Sequence, residues 1–145
     1  MLSVAILWIH VLCGALWVAV NLSLLLAIVA TEEGERAGFA ARAALKLNRL
    51  NLAAIVLLPL SGIANLYYVG RAHGFRLPSA FIAVLSVKMA LLCGMAVALG
   101  FAWAALKSDR AASRNGARRL PRLYGAMAAM GAVALLLGLW LAGSA

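Results

Sequence analysis

Hydrophobic residues run along this chain in four long blocks, separated by short polar connectors. The blocks cover about Leu2–Ala30, Leu50–Val69, Pro78–Leu106 and Tyr124–Ala142. Each exceeds the roughly 18 apolar residues that a helix needs to cross the hydrocarbon core of a bilayer. The connectors are too short to hold a soluble domain. The pattern therefore predicts an all-α, integral membrane four-helix bundle, residues 1–145 forming one domain.

Within the first block the polar positions fall on one side. His10, Gly14, Trp17 and Asn21 follow helical spacing and share a face. Ile6, Ile9, Leu16 and Leu24 are expected on the oily side. A lipid-facing surface has no use for His, Gly and Asn in a row, so the polar side is expected to look into the bundle. In the second block Pro59 removes a backbone hydrogen bond, and Ser61, Gly62 and Asn65 mark the inward face. Tyr67 and Tyr68 are expected as interfacial anchors. Gly131 and Gly138 share a side of the fourth helix and permit close approach. The stretch Arg36–Arg49 reads as a short interfacial helix or an extension of helix two. The polar loop Ser108–Gly116 is expected to be the most mobile part.

Composition and charge sharpen the picture. The chain is 66% hydrophobic and 12% charged, with a formal net charge of +9. A basic balance can indicate nucleic acid, but its distribution here points elsewhere. Arg36, Arg42, Lys46 and Arg49 precede helix two, and Lys107, Arg110, Arg114, Arg118, Arg119 and Arg122 precede helix four. Only Arg71 and Arg76, beside His73, lie in the middle connector. Such asymmetry is the positive-inside signature. It predicts a multi-pass protein of a bacterial inner (cytoplasmic) membrane with both termini periplasmic. The first block lacks a basic leader and is longer than a signal-peptide core, so it is expected to remain as a helix. Cys13 and Cys93 lie within spans and are expected as thiols.

Two ionisable side chains stand at depth. His10 and Lys88 fall roughly 12 and 15 Å below the outer end of their helices. No Asp or Glu lies in any span, so Lys88 must be neutral, face water, snorkel outward, or meet a bound anion or metal. A neutral imidazole is the commonest haem ligand. Gly14 and Trp17 would suit a flat macrocycle, and its propionates could reach Arg71 and Arg76. Lys88 is the candidate catalytic residue or second ligand. Alternatively, His10 only bonds across a helix pair, to Asn65 or Ser61. A soft-metal reading takes Cys13, Met89 and Cys93, with Met95, Met127 and Met130 deeper, as copper ligands.

These residues also carry a resemblance. Trp8-Ile9-His10-Val11 with Gly14-Ala15-Leu16-Trp17 is similar to the first helix of HemJ-type protoporphyrinogen oxidases and of CopD-like copper-resistance membrane domains. Pro59–Gly62 after a basic pre-helix resembles the second HemJ helix, and Ser86-Val87-Lys88-Met89-Ala90-Leu91 resembles the third helix of both families. Arg118-Arg119-Leu120 is likewise similar. The HemJ resemblance implies haem b bound in a four-helix membrane protein, with His10 and Lys88 essential. It implies an oxidoreductase acting on protoporphyrinogen IX and delivering electrons to a respiratory-chain partner. The CopD resemblance implies copper passage. A third expectation is a non-catalytic membrane subunit, packed with another protein or with a second copy of the chain.

Overall fold

The computed structural model describes residues 2–31, 36–107 and 114–143, and the side chains of all but 36–41, 114–118 and 142–143 among them. It contains four helices: α1 (Leu2–Ala30), α2 (Arg36–Ala72), α3 (Ser79–Lys107) and α4 (Arg114–Gly143). All four are long and apolar enough to cross a membrane. Their partners give the packing order. α1 lies against α2 and α4, α3 lies against α4, and α2 and α3 touch more sparsely. The fold is a four-helix bundle.

Side-chain pairs fix an antiparallel register. His10 meets Ser61 while Asn21 meets Asn51, so α1 and α2 run in opposite directions. Gly14 faces Leu135 and Gly131 faces Trp17, which does the same for α1 and α4. Lys88 lies at Gly138 and Gly94 at Met130, giving α3 and α4 the same relation. The start of α1, the end of α4 and the 73–78 connector therefore share one end, called here the terminal end. The other is the basic end, where Lys46, Arg49, Lys107, Arg119 and Arg122 are found.

Most expected boundaries hold, one of two readings is selected, and one boundary differs. Arg36–Arg49 is an extension of α2, because Ala44 and Asn48 are buried in the core there. Helix four starts at Arg114, ten residues ahead of the apolar block, and runs through Pro121. Residues 108–113 of the loop expected to be mobile lie outside the described residues, as do the side chains of Arg36, Arg110, Arg114 and Arg118. The turn between α2 and α3 is a Schellman motif. Phe75 N–H donates to the Gly70 carbonyl and Gly74 N–H to that of Arg71. Gly74 takes a φ of 59°, which a glycine adopts without strain. The Phe75 ring folds back over Gly70 and stands near Tyr67, which packs edge-on against Tyr68.

The core is lopsided. Trp17, Asn21, Leu24 and Ile28 of α1, Asn48, Asn51 and Ala54 of α2, Met95, Leu99 and Ala102 of α3, and Leu120, Tyr124 and Met127 of α4 are all buried. These run from mid-bundle to the basic end. Leu24, expected on the oily side of α1, is instead 1% exposed. It stands seven residues after Trp17, two helical turns on, and so shares the Trp17 face. In the terminal half, buried positions among the described residues reduce to Gly14, Ser61 and Gly70. The bundle is thus closely packed at the basic end and opens toward the terminal end.

An amide network ties the packed half together. Asn21 Nδ2 donates to Asn51 Oδ1 at 3.1 Å, and Asn51 Nδ2 returns a bond to Asn21 Oδ1 at 3.2 Å. Asn51 also donates to Asn48 Oδ1, which accepts a second bond from the Tyr124 hydroxyl at 3.2 Å. Three helices are joined with no charge buried. In hydrocarbon an unmade polar bond costs several kcal/mol, so such amides face one another.

A candidate tetrapyrrole site in the terminal half

His10 projects from α1 toward α2. Its Nδ1 lies 2.9 Å from Ser61 Oγ. The serine hydroxyl has one hydrogen, and two carbonyls of its own helix accept it, Leu57 O at 2.7 Å and Leu58 O at 3.1 Å. The serine oxygen is then an acceptor toward the imidazole, so Nδ1 carries the hydrogen. In a neutral ring this leaves the Nε2 lone pair free, the form in which histidine binds a metal. Gly62 makes the approach possible. A Cβ there would come within 3.3 Å of His10 Cε1. Of the two cross-helix partners expected for His10, the structure selects Ser61.

Lys88 extends from α3 to α4. A Cβ on Gly138 would lie 3.1 Å from its Nζ, so the glycine provides the notch that receives the amine. Gly138 stands opposite Lys88 in the α3–α4 register, and opposite the level of His10 in the α1–α4 register, so the amine and the imidazole share one layer of the bundle. No carboxylate is within reach among the described residues, since all four acidic residues of the chain lie outside them.

The remaining expected site residues are placed differently. Gly14 does not hold space open, because Leu135 Cδ2 fills its notch, 2.8 Å from where a Cβ would be. Trp17 is 1% exposed. Its indole N–H donates to the Met127 carbonyl at 3.1 Å, and its ring lies on Gly131. Both residues face the bundle as their spacing predicts, but they serve α1–α4 packing. Arg71 and Arg76 are exposed at the terminal end. Asn65, one turn beyond Ser61 on the same face of α2, has a buried Nδ2 with no hydrogen-bond partner.

The sulfur ligands do not converge. Met89 and Cys93 are exposed on α3, and Cys13 is a half-buried thiol on α1. Met95 and Met127 are packed in the core, and Met130 sits against Gly94. Among the described residues, no three His, Cys, Asp or Glu side chains gather as a metal cluster would.

The tautomer-setting role of Ser61 and the Lys88–Gly138 fit lie in no sequence motif. Two glycines, each set against an ionisable side chain of a neighbouring helix, are the only signal, and it needs the register to be read. Comparison with protein-family profiles, characterised proteins and solved structures gives no match.

Proposed function

We propose that this chain is a membrane redox protein that binds a haem b-type tetrapyrrole through His10 Nε2, in the terminal half of the bundle. One observation carries the reading: the Ser61 hydroxyl is committed to carbonyls of α2, so it accepts from His10 Nδ1 and leaves Nε2 available. Metal-bound histidines are held this way, with the second ring nitrogen bonded to a fixed acceptor. A bound haem would supply one-electron chemistry. The chain would hold it through the His10 imidazole, seated in the notch at Gly62, with Lys88, Arg71 and Arg76 as cations for its carboxylates. The macrocycle does not rest on Gly14 or Trp17, whose space α4 takes. The reading includes oxidation of a porphyrinogen or electron transfer to a respiratory-chain partner, in the manner of the HemJ-type family.

The orientation belongs to the same proposal. Ten basic residues at one end against two at the other place the basic end in the cytoplasm and the site toward the periplasm.

The His10–Ser61 bond also favours a second reading, in which the pair only joins α1 to α2 in a non-catalytic subunit. Reduced-minus-oxidised absorption spectra of purified protein separate the two. The haem reading expects a Soret and α band that His10→Ala removes. A folded protein that takes up no haem when reconstituted contradicts it. Copper bound in equal amount, lost on substitution of Cys13 and Met89, would instead favour the CopD-like alternative.

A further inference from the structure

The turn between α2 and α3 carries more than its Schellman bonds need. That motif asks for a positive φ at Gly74 alone, yet Phe75 repeats it at 59°. A bulky residue is disfavoured there, and a second glycine would hold the same backbone without strain. What phenylalanine adds is a ring. The ring folds back over α2, where a Cβ on Gly70 would lie 2.9 Å from its Cδ1. That contact covers only part of it, since Phe75 stays 67% exposed. Its centroid stands 6.4 Å from that of Tyr67, itself 53% exposed. The strained backbone thus returns an aromatic face to the level of residue 70, about 3 Å short of the end of α2 and beside its interfacial tyrosines.

Two cations flank the ring. Arg71 follows Gly70, and Arg76 follows Phe75. Phe75 N–H bonds the Gly70 carbonyl at 2.6 Å and Gly74 N–H that of Arg71 at 3.4 Å, so both arginines branch from one tight turn. Both are exposed, and neither makes an ion pair among the described residues. Residues 2–30 and 123–143 hold no Lys or Arg, so this turn concentrates the positive charge of the terminal rim. Guanidinium groups match phosphate oxygens. Paired cations beside exposed aromatic rings complement a phosphate that carries an acyl chain. A zwitterionic headgroup would bring its ammonium among them, with no acid of the described residues to receive it.

We propose that this turn is a binding site for one anionic phospholipid, whose phosphate Arg71 and Arg76 hold and whose acyl chain lies on the exposed faces of Tyr67 and Phe75. The site goes beyond the haem reading and stands without it. A lipid phosphate and a haem carboxylate are alternative occupants of the two arginines, so the assay is run with no haem added.

The test uses phosphatidylglycerol and phosphatidylethanolamine that carry the same photoreactive acyl chain. Each is added in trace amount to the full chain in phosphatidylcholine nanodiscs, and the labelled residues are mapped by peptide mass spectrometry. Phosphatidylglycerol is expected to label residues 67–76 at least fivefold more than phosphatidylethanolamine. The double variant Arg71→Gln, Arg76→Gln should lose that preference, while Arg119→Gln, Arg122→Gln at the basic end should keep it. Phe75→Gly relieves the strained φ, so it should melt no lower than the wild type yet label less at Tyr67. Excess inorganic phosphate should leave the labelling in place, because the acyl chain also holds the lipid. Equal labelling by the two lipids would overturn the proposal. So would labelling unchanged in the Arg71, Arg76 variant or in Phe75→Gly, or labelling abolished by inorganic phosphate. If haem spectra prove independent of His10 but the lipid preference persists, the haem reading fails and the lipid site stands.

Discussion

His10 Nδ1 and Ser61 Oγ stand 2.9 Å apart across α1 and α2, and the proposed tautomer has the imidazole donating. The direction is imposed from α2, where Leu57 and Leu58 carbonyls already hold the serine hydrogen. Replacing Ser61 with alanine removes the acceptor and frees the ring to turn. Haem affinity is expected to fall about 10- to 100-fold, the usual effect of losing such an outer partner. Ser61→Thr, which keeps the hydroxyl, should stay near the wild type. Haem titration of the three proteins checks this.

Trp17 and Gly131 are matched in the same manner. A Cβ at position 131 would lie 2.7 Å from Trp17 Cδ1 and 3.0 Å from Val18 Cγ2. An indole fixed by a bond to the Met127 carbonyl cannot retreat cheaply. Gly131→Ala is expected to destabilise the bundle by about 1–3 kcal/mol, the usual range for overpacking. Gly100 is exposed, and a methyl group placed on it would meet nothing within 4 Å. Gly100→Ala should be neutral or stabilising by up to about 1 kcal/mol through helix propensity. Unfolding in mixed micelles distinguishes the pair.

The Asn21–Asn51 exchange should appear as an energetic coupling. Both amides are 0% exposed and each donates to the other. A double-mutant cycle with Asn21→Leu and Asn51→Leu is expected to give a coupling of about 0.6–1.7 kcal/mol, the range seen for polar pairs between membrane helices. A coupling near zero would mean that the amides do not act together.

The proposed orientation can be read directly. A reporter active only outside the cytoplasm, fused after Ala145, should be active. The same reporter placed after Lys107 should be silent. The reverse pattern would place His10 and Lys88 on the cytoplasmic side.

Much of the architecture was legible in the sequence, because bilayer thickness fixes how long an apolar helix must be. α1 occurs over the stretch its apolar block outlines. The inward face of α1 was also legible, since Gly14, Trp17 and Asn21 are all buried. Their partners were not. The pattern says that Trp17 turns inward, but only the register shows that Gly131 and the Met127 carbonyl receive it. The start of α2 was ambiguous for a related reason. Arg42, Lys46 and Arg49 make the segment look interfacial, while Ala44 and Asn48 on its other side are core residues. Asn48, Asn51 and Tyr124 gave no local sign of a network, because each bond depends on a helix distant in sequence. For the site, His10 and Lys88 stood out by their cost in a membrane. Ser61 as the fixed acceptor, Gly138 as the amine's notch and the orphaned Asn65 amide required the assembled bundle.

Under the proposed function a nitrogen of His10 binds haem iron. Pulsed electron paramagnetic resonance of ferric haem in protein grown with 15N-histidine reads that bond. A strong axial 15N coupling is expected in the wild type and in His73→Ala, and it should vanish in His10→Ala. An unchanged coupling in His10→Ala, or none in the haem-loaded wild type, would contradict the account.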